Sequence, residues 1–203
     1  MILVLATRNP AKGREMARLL APVPPVVVVR SLADFPGCPD VTEDGDTFAA
    51  NALLKARSAH RCTGLWAVAD DSGLVVDALG GEPGVNSARY CGRHGDDAAN
   101  NRLLLDKLAG KPLAERTARF VAAVALAGPG GAESVWHGEC EGQIALAPRG
   151  QGGFGYDCLF WRPDYGQTFA ELSGEQKDAV SHRGRAFAQA KSAIWRRLGA
   201  GGG

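Results

Sequence analysis

The sequence has no long apolar run, no excess of either charge and no paired-cysteine motif, and each absence removes a class of protein. No stretch reaches the roughly 20 consecutive apolar residues that span a bilayer, so no membrane partner is expected. A formal net charge of +1 provides no global field for wrapping a nucleic acid polymer. Any bound anion must therefore be held by locally placed Lys and Arg. The five cysteines, at positions 38, 62, 91, 140 and 158, are odd in number and lack a Cys-x-x-Cys pair. That pattern argues against a disulfide framework or a zinc knuckle and for a reducing cytoplasm. The opening Met1–Ala6 lacks the basic start of a secretory signal and reads instead as a buried strand. The Walker spacing Gly-x-x-x-x-Gly-Lys-Ser/Thr is missing, as are internal repeats and any Pro- or Ser-rich linker.

What is present is an ordinary globular composition. The 203 residues are 45% hydrophobic and 22% charged, enough for one fair-sized domain or two small lobes. Residues 2–6 form a continuous apolar run, the pattern of a strand covered on both faces. Asn9 and Pro10 suit the cap and first position of a helix running to about Leu20. A second strand is predicted over Val26–Val29, and a loop over 31–45. A helix follows from Asp46 or Thr47, with Asn51 and Lys55 four apart on one face. Residues 96–109 read as a helix capped by Asp96. From Thr117 the period changes to two, and a hairpin is predicted with its turn at Gly128–Gly131. Ser181 opens a last helix with an apolar stripe over Ala186, Phe187, Ala190, Ile194 and Leu198.

Four stretches carry chemistry. Thr7, Arg8, Asn9 and Lys12 surround a helix N-terminus, where N–H groups and the helix dipole favour anions. Ala69-Asp70-Asp71-Ser72-Gly73 places two carboxylates and a hydroxyl where two apolar segments meet. Adjacent carboxylates there call for a divalent cation or for separated roles. Asp, Ser and Gly are also turn formers, so the stretch by itself equally fits a turn between strands. Arg149 to Asp157 holds four glycines and two aromatics, which suits a loop stacking a flat ligand on Phe154. Lys177 and the pair His182-Arg183, in the first turn of the last helix, complete the set. Together these are phosphate cations, metal carboxylates, a stacking platform and groups that read a base edge, the inventory for a nucleoside triphosphate with a metal.

These motifs resemble those of the inosine triphosphate pyrophosphatase family, the RdgB or Ham1 type of house-cleaning enzyme for noncanonical purine nucleotides. The resemblance rests on Thr7-Arg8-Asn9-Pro10-Ala11-Lys12, Glu43-Asp44-Gly45-Asp46-Thr47-Phe48, Asn51-Ala52, Lys55-Ala56 and Ala69-Asp70-Asp71-Ser72-Gly73-Leu74. It continues through Leu79 to Gly84, Ser87 to Tyr90, Gly152-Gly153-Phe154-Gly155-Tyr156-Asp157, Glu175-Gln176-Lys177 and Ser181-His182-Arg183-Gly184. It implies an α/β fold with a mixed twisted sheet, flanking helices and two lobes around a central cleft. Residues 1–198 would form that single domain, and 199–203 a disordered Gly-rich tail. It further implies hydrolysis of ITP, dITP and XTP to monophosphate and pyrophosphate with Mg²⁺ in a cytoplasmic homodimer. By position, Thr7 to Lys12 (Pro10 and Ala11 included) would bind the phosphate chain. Asp71 would be metal ligand and proton acceptor, Glu43 a further metal ligand, and Ser72 a substrate contact. Phe154, Gly155, Tyr156 and Asp157 would hold base and sugar, Lys177 would bind substrate, and His182 and Arg183 would read the base. Ala50 stands where bacterial members often carry Glu, so the acids left for the metal are Glu43, Asp70 and Asp71.

Two other readings compete. A Maf-type pyrophosphatase shares the broad fold, and the His182-Arg183 pair after Lys177 argues against it. A nucleotide-binding regulator without catalysis would hardly gather uncompensated carboxylates.

Overall fold

The computed structural model describes residues 1–200. Its elements are β1 (Ile2–Leu5), α1 (Pro10–Leu20), β2 (Val28–Ser31), α2 (Phe48–Thr63), β3 (Trp66–Val76), α3 (Asp97–Lys107), β4 (Thr117–Gly128), β5 (Ala132–Ile144), β6 (Phe160–Arg162), β7 (Gln167–Thr168), α4 (Gly174–Val180) and α5 (His182–Ala200). The hydrogen-bonded strand order is β2-β1-β3-β4-β5-β6-β7. β1 runs parallel to β2 and β3, whereas β6 is antiparallel to β5 and β7, so the sheet is mixed. No helix among the described residues is long and apolar enough to cross a membrane.

The chain divides into two compact units. The first comprises Met1–Asp71, Ala122–Gly138 and the chain from Arg183 onward; the second comprises Ser72–Val121 and Glu139–His182.

In the first unit the side-chain period of two sorts the strands between two cores. Leu3, Leu5 and Val68 face a cluster with Met16 and Leu20 of α1 and with Phe187 and Ile194 of α5. Val4, Ala67 and Ala69 face the opposite cluster, where Ala52, Ala56 and Ala59 of α2 supply the contact. Alanines at both surfaces leave little bulk to keep α2 from the sheet. In the second unit Leu74, Val76, Leu104, Leu108, Ile144 and Phe160 form the core, with Phe120 and Phe160 ring centroids 4.6 Å apart.

The structure corrects four expectations. β3 is one unbroken strand of 11 residues through Ala69–Gly73, so the stretch is not a turn. Its flanking apolar segments supply enough strand to carry two polar residues across. β2 begins at Val28 rather than Val26, because the N–H of Val27 closes a turn on the carbonyl of Pro24. Cys38 and Cys62, 24 residues apart, form a disulfide, so the cysteine argument for a reducing compartment fails. Sequence spacing is blind to a pair brought together by a loop folding back on a helix end. Finally, α5 continues through Gly199 to Ala200; the remainder of the tail expected to be disordered, 201–203, lies outside the described residues.

Candidate active site

Alternation along β3 separates the two aspartates. Asp70 follows Val68 onto the face of α1 and α5. Its Oδ1 lies 2.9 Å from Lys12 Nζ, and its Oδ2 accepts from Arg183 Nε at 2.9 Å. Arg183 also donates to Glu15 Oε2 at 3.4 Å. Burial by itself would raise the Asp70 carboxyl, but Lys12, Arg183 and Lys55 outweigh it and hold the group well below the usual carboxylate range. Burial also lowers Lys12, which Asp70 offsets only in part.

Asp71 follows Ala69 onto the α2 face. There Lys55 Nζ donates to Asp71 Oδ1 at 2.7 Å and lies 2.9 Å from Glu43 Oε1. Burial pushes the Asp71 carboxyl up against the pull of Lys55 and Lys12. Burial works against the Lys55 ammonium too, but Asp71, Glu43 and Asp70 together raise it. Two carboxylates thus converge on one cation, one of them with an elevated proton affinity.

The loop bearing Glu43 is fastened at several points. Asn51, fully buried, accepts from the Gly45 N–H at 2.8 Å and donates to the Gly45 carbonyl at 3.2 Å. A side chain at Gly45 has no room, because a Cβ there would sit 2.7 Å from Asn51 Oδ1. Arg8 donates to Asp40 Oδ1 at 3.0 Å and to the carbonyls of Cys38 and Leu32. Arg8 therefore ties down the loop rather than standing as an unengaged charge beside α1. Asn9 caps α1, accepting from the N–H groups of Ala11 and Lys12, while Thr7 Oγ1 accepts from the Asn9 N–H. Pro10 is the first residue of the helix, as its missing N–H predicts.

In the second unit, Lys177 is buried and donates to Asp157 Oδ2 at 2.6 Å, and the same oxygen accepts from the Phe154 N–H at 2.9 Å. Lys177 Nζ stands 5.1 Å from the centre of the Phe154 ring, within cation–π range. Tyr156 is buried and donates to the Ser87 carbonyl at 2.9 Å. Gly155, with φ of +62°, occupies the left-handed region. Its N–H donates to Asp97 Oδ2 at 2.7 Å, and its carbonyl accepts from Asn101 Nδ2 at 2.9 Å. His182 is buried and stacks on Phe120, centroids 4.6 Å apart. Ser72, half-buried, is the first residue of this unit.

Within the first unit the structure brings together Lys12, Asp70 and Arg183, and separately Glu43, Asp71 and Lys55. Within the second it brings together Phe154, Asp157 and Lys177. Sequence reasoning placed Lys55 on a face with Asn51 but gave neither a role; four-residue spacing beside an acidic strand was the available signal. Glu15 was missed because an acid in an amphipathic helix normally faces water. Asp97 and Asn101 were missed because nothing local to α3 points to residue 155.

The family model described as the Ham1 family matches residues 3–193. The chain is 55% identical over 189 residues to a Geobacter sulfurreducens protein named dITP/XTP pyrophosphatase, covering 93% of this chain and 94% of that one. It is 54% identical over 185 residues to a protein of the same name from Geobacillus kaustophilus, covering 91% and 90%. Among solved structures it is similar to the Staphylococcus aureus Ham1 protein, with a TM-score of 0.83, 37% identity and coverage of 96% and 98%.

Proposed function

Because the chain belongs to the Ham1 family, we propose that it hydrolyses noncanonical purine nucleoside triphosphates, dITP, ITP and XTP, to the monophosphate and pyrophosphate. The observation that carries this reading is the convergence of Glu43 and Asp71 on one ammonium, with the half-buried Lys12 held nearby on the other face of β3. The relatives named dITP/XTP pyrophosphatase support the substrate class.

Glu43 and Asp71 would hold Mg²⁺. The donor set fits: two carboxylates already satisfy one cation together, and Mg²⁺ needs only one or two, with waters and substrate phosphates completing its shell. Once bound, Mg²⁺ lowers the pKa of a water and neutralises phosphate charge.

Asp71 accepts the proton of the water that attacks the α-phosphorus. Its raised pKa brings it nearer the operating pH, as a general base requires. The bond from the α-phosphorus to the bridging oxygen breaks, and Lys12, with the α1 N-terminus from Thr7 to Ala11, receives the charge on the departing pyrophosphate. Ser72 contacts the substrate. Phe154 stacks the base, with Gly155, Tyr156 and Asp157 completing the base and sugar contacts and Lys177 holding Asp157. His182 and Arg183 read the 6-oxo edge; adenine presents a donor there and leaves the site's donors unpaired.

In this proposal the two units form one domain over residues 1–198, and the enzyme works as a homodimer in the cytoplasm, where the nucleotide pool lies. The compartment now rests on the substrate rather than on cysteine usage. The deciding experiment is a pyrophosphate-release panel of ITP, XTP, GTP and ATP with Mg²⁺. A large preference for the first two is expected, and comparable turnover of all four sinks the reading.

A further inference from the structure

We infer that Asp97 and Asn101, which lie outside every motif of the proposed site, are positioning residues that set the Phe154 platform by gripping the backbone of Gly155. The two lie four residues apart on α3 and therefore share one helix face. Between them they engage both polar groups of Gly155: the N–H donates to Asp97 Oδ2 at 2.7 Å, and the carbonyl accepts from Asn101 Nδ2 at 2.9 Å. The preceding N–H, that of Phe154, is taken by Asp157 Oδ2 at 2.9 Å. Consecutive amides are thus held by two carboxylates from different elements, and hydrogen bonds to ionised acceptors are the stronger kind. Phe154 is attached between these two fixed points, so the direction in which its side chain leaves the backbone follows from them.

The grip needs glycine. With φ of +62°, residue 155 lies where side-chain-bearing residues are strained. α3 has no need of Asp97 for its own start, because Asp96 supplies the cap by accepting from the Ala99 N–H at 3.0 Å. Asn100 does for another loop what its neighbour does for this one: it accepts from the Cys91 N–H at 2.8 Å and donates to the Ala88 carbonyl at 3.4 Å. The polar residues of α3 therefore serve as a brace for the surrounding loops.

This inference rests on the reading of Phe154 as the base platform, and its test separates the two. Steady-state kinetics on ITP are compared for Asp97→Ala, Asn101→Ala, Asp97→Asn and Phe154→Ala. Each alanine variant on α3 is expected to raise KM by about tenfold with kcat within about twofold, the signature of lost binding rather than lost chemistry. Asp97→Asn keeps an oxygen acceptor for the Gly155 N–H and should stay within about threefold of the parent. The double alanine variant should fall well short of the product of the single effects, since both act on the backbone of one residue. Amide hydrogen exchange at Gly155 should quicken about tenfold or more in Asp97→Ala. Should the alanine variants not fold, Asn101→Asp, which sets a carboxylate against the Gly155 carbonyl, carries the same KM expectation.

Phe154→Ala is expected to raise KM about fivefold or more through lost stacking. If it does so while Asp97→Ala and Asn101→Ala leave KM and Gly155 exchange unchanged, the positioning role is overturned and the platform stands. A loss in Asp97→Ala and Asn101→Ala that falls on kcat with KM unchanged overturns it as well. If Phe154→Ala leaves KM unchanged, the platform reading fails and the inference falls with it.

Discussion

Replacing Asp70 by Asn should destabilise the protein strongly at neutral pH and much less in acid. The side chain is fully enclosed, and its two oxygens meet Lys12 and Arg183, whose own side chains are 17% and 8% exposed. Asn preserves the shape and removes the charge, so one buried and one half-buried cation lose their shared anion. Glu15, at 3.4 Å from Arg183, offsets part of the charge of that cation. Breaking a buried pair in this way costs about 3–5 kcal/mol. For a chain of this size each kcal/mol moves Tm by about 2–4 °C, giving a fall of about 6–20 °C. The pH dependence has a definite sign. In the folded protein the Asp70 carboxyl is held far below its ordinary value, whereas unfolded it titrates near about 3.9. Its contribution is therefore complete above that value and is lost as pH falls towards the folded pKa. Scanning calorimetry of parent and variant at pH 7 and at a pH well below about 3.9 checks both parts. A fall under about 3 °C at pH 7, or a gap that widens in acid, refutes the assignment of Asp70 as the structural anion of this site.

The neighbouring substitution, Asp71→Asn, should abolish ITP hydrolysis by about 10²-fold or more while leaving Tm near the parent value, since burial already disfavours the charge; more than about a tenth of the activity retained removes Asp71 from the proton-accepting role. Gly45→Ala puts a Cβ 2.7 Å from Asn51 Oδ1 and 2.9 Å from the Ala50 Cβ. It should cost about 1–3 kcal/mol and lower kcat/KM by displacing Glu43, and parent-like Tm and kcat/KM count against the clamp. Reducing Cys38–Cys62 reopens a loop of 24 residues. The expected loss of about 3 kcal/mol is read as a lower Tm in a dithiol, matched by Cys38→Ser/Cys62→Ser. Finding all five cysteines as free thiols in the protein as isolated would dismiss the bond.

Much of the architecture was legible because its causes are local. Asn9 and Pro10 start α1 as their capping chemistry dictates. Thr47 caps α2 through the Ala50 N–H, and Asp96 caps α3. The change of period at Thr117 marked β4. The misplaced start of β2 came from reading four valines as a strand when Pro24 closes a turn on the first of them to be buried, Val27.

By itself, the sequence singled out the residues on which the proposed chemistry rests: Lys12, Glu43, Asp71, Phe154, Lys177 and their companions were named from spacing and motif resemblance, because those residue types in that order match the pattern of the family. What only the tertiary structure decided is how these groups are divided among partners. An unbroken β3 sends Asp70 to Lys12 and Arg183 and Asp71 to Lys55 and Glu43, so one aspartate is a buried structural anion and the other is left with a raised proton affinity. The same is true of Glu15, Asn51, Asp97 and Asn101, whose roles depend on residues 6 to 168 positions away. The physical reason is that caps and strand periods are set by neighbours in the chain, whereas a charge or an amide takes its role from whichever element folding lays against it.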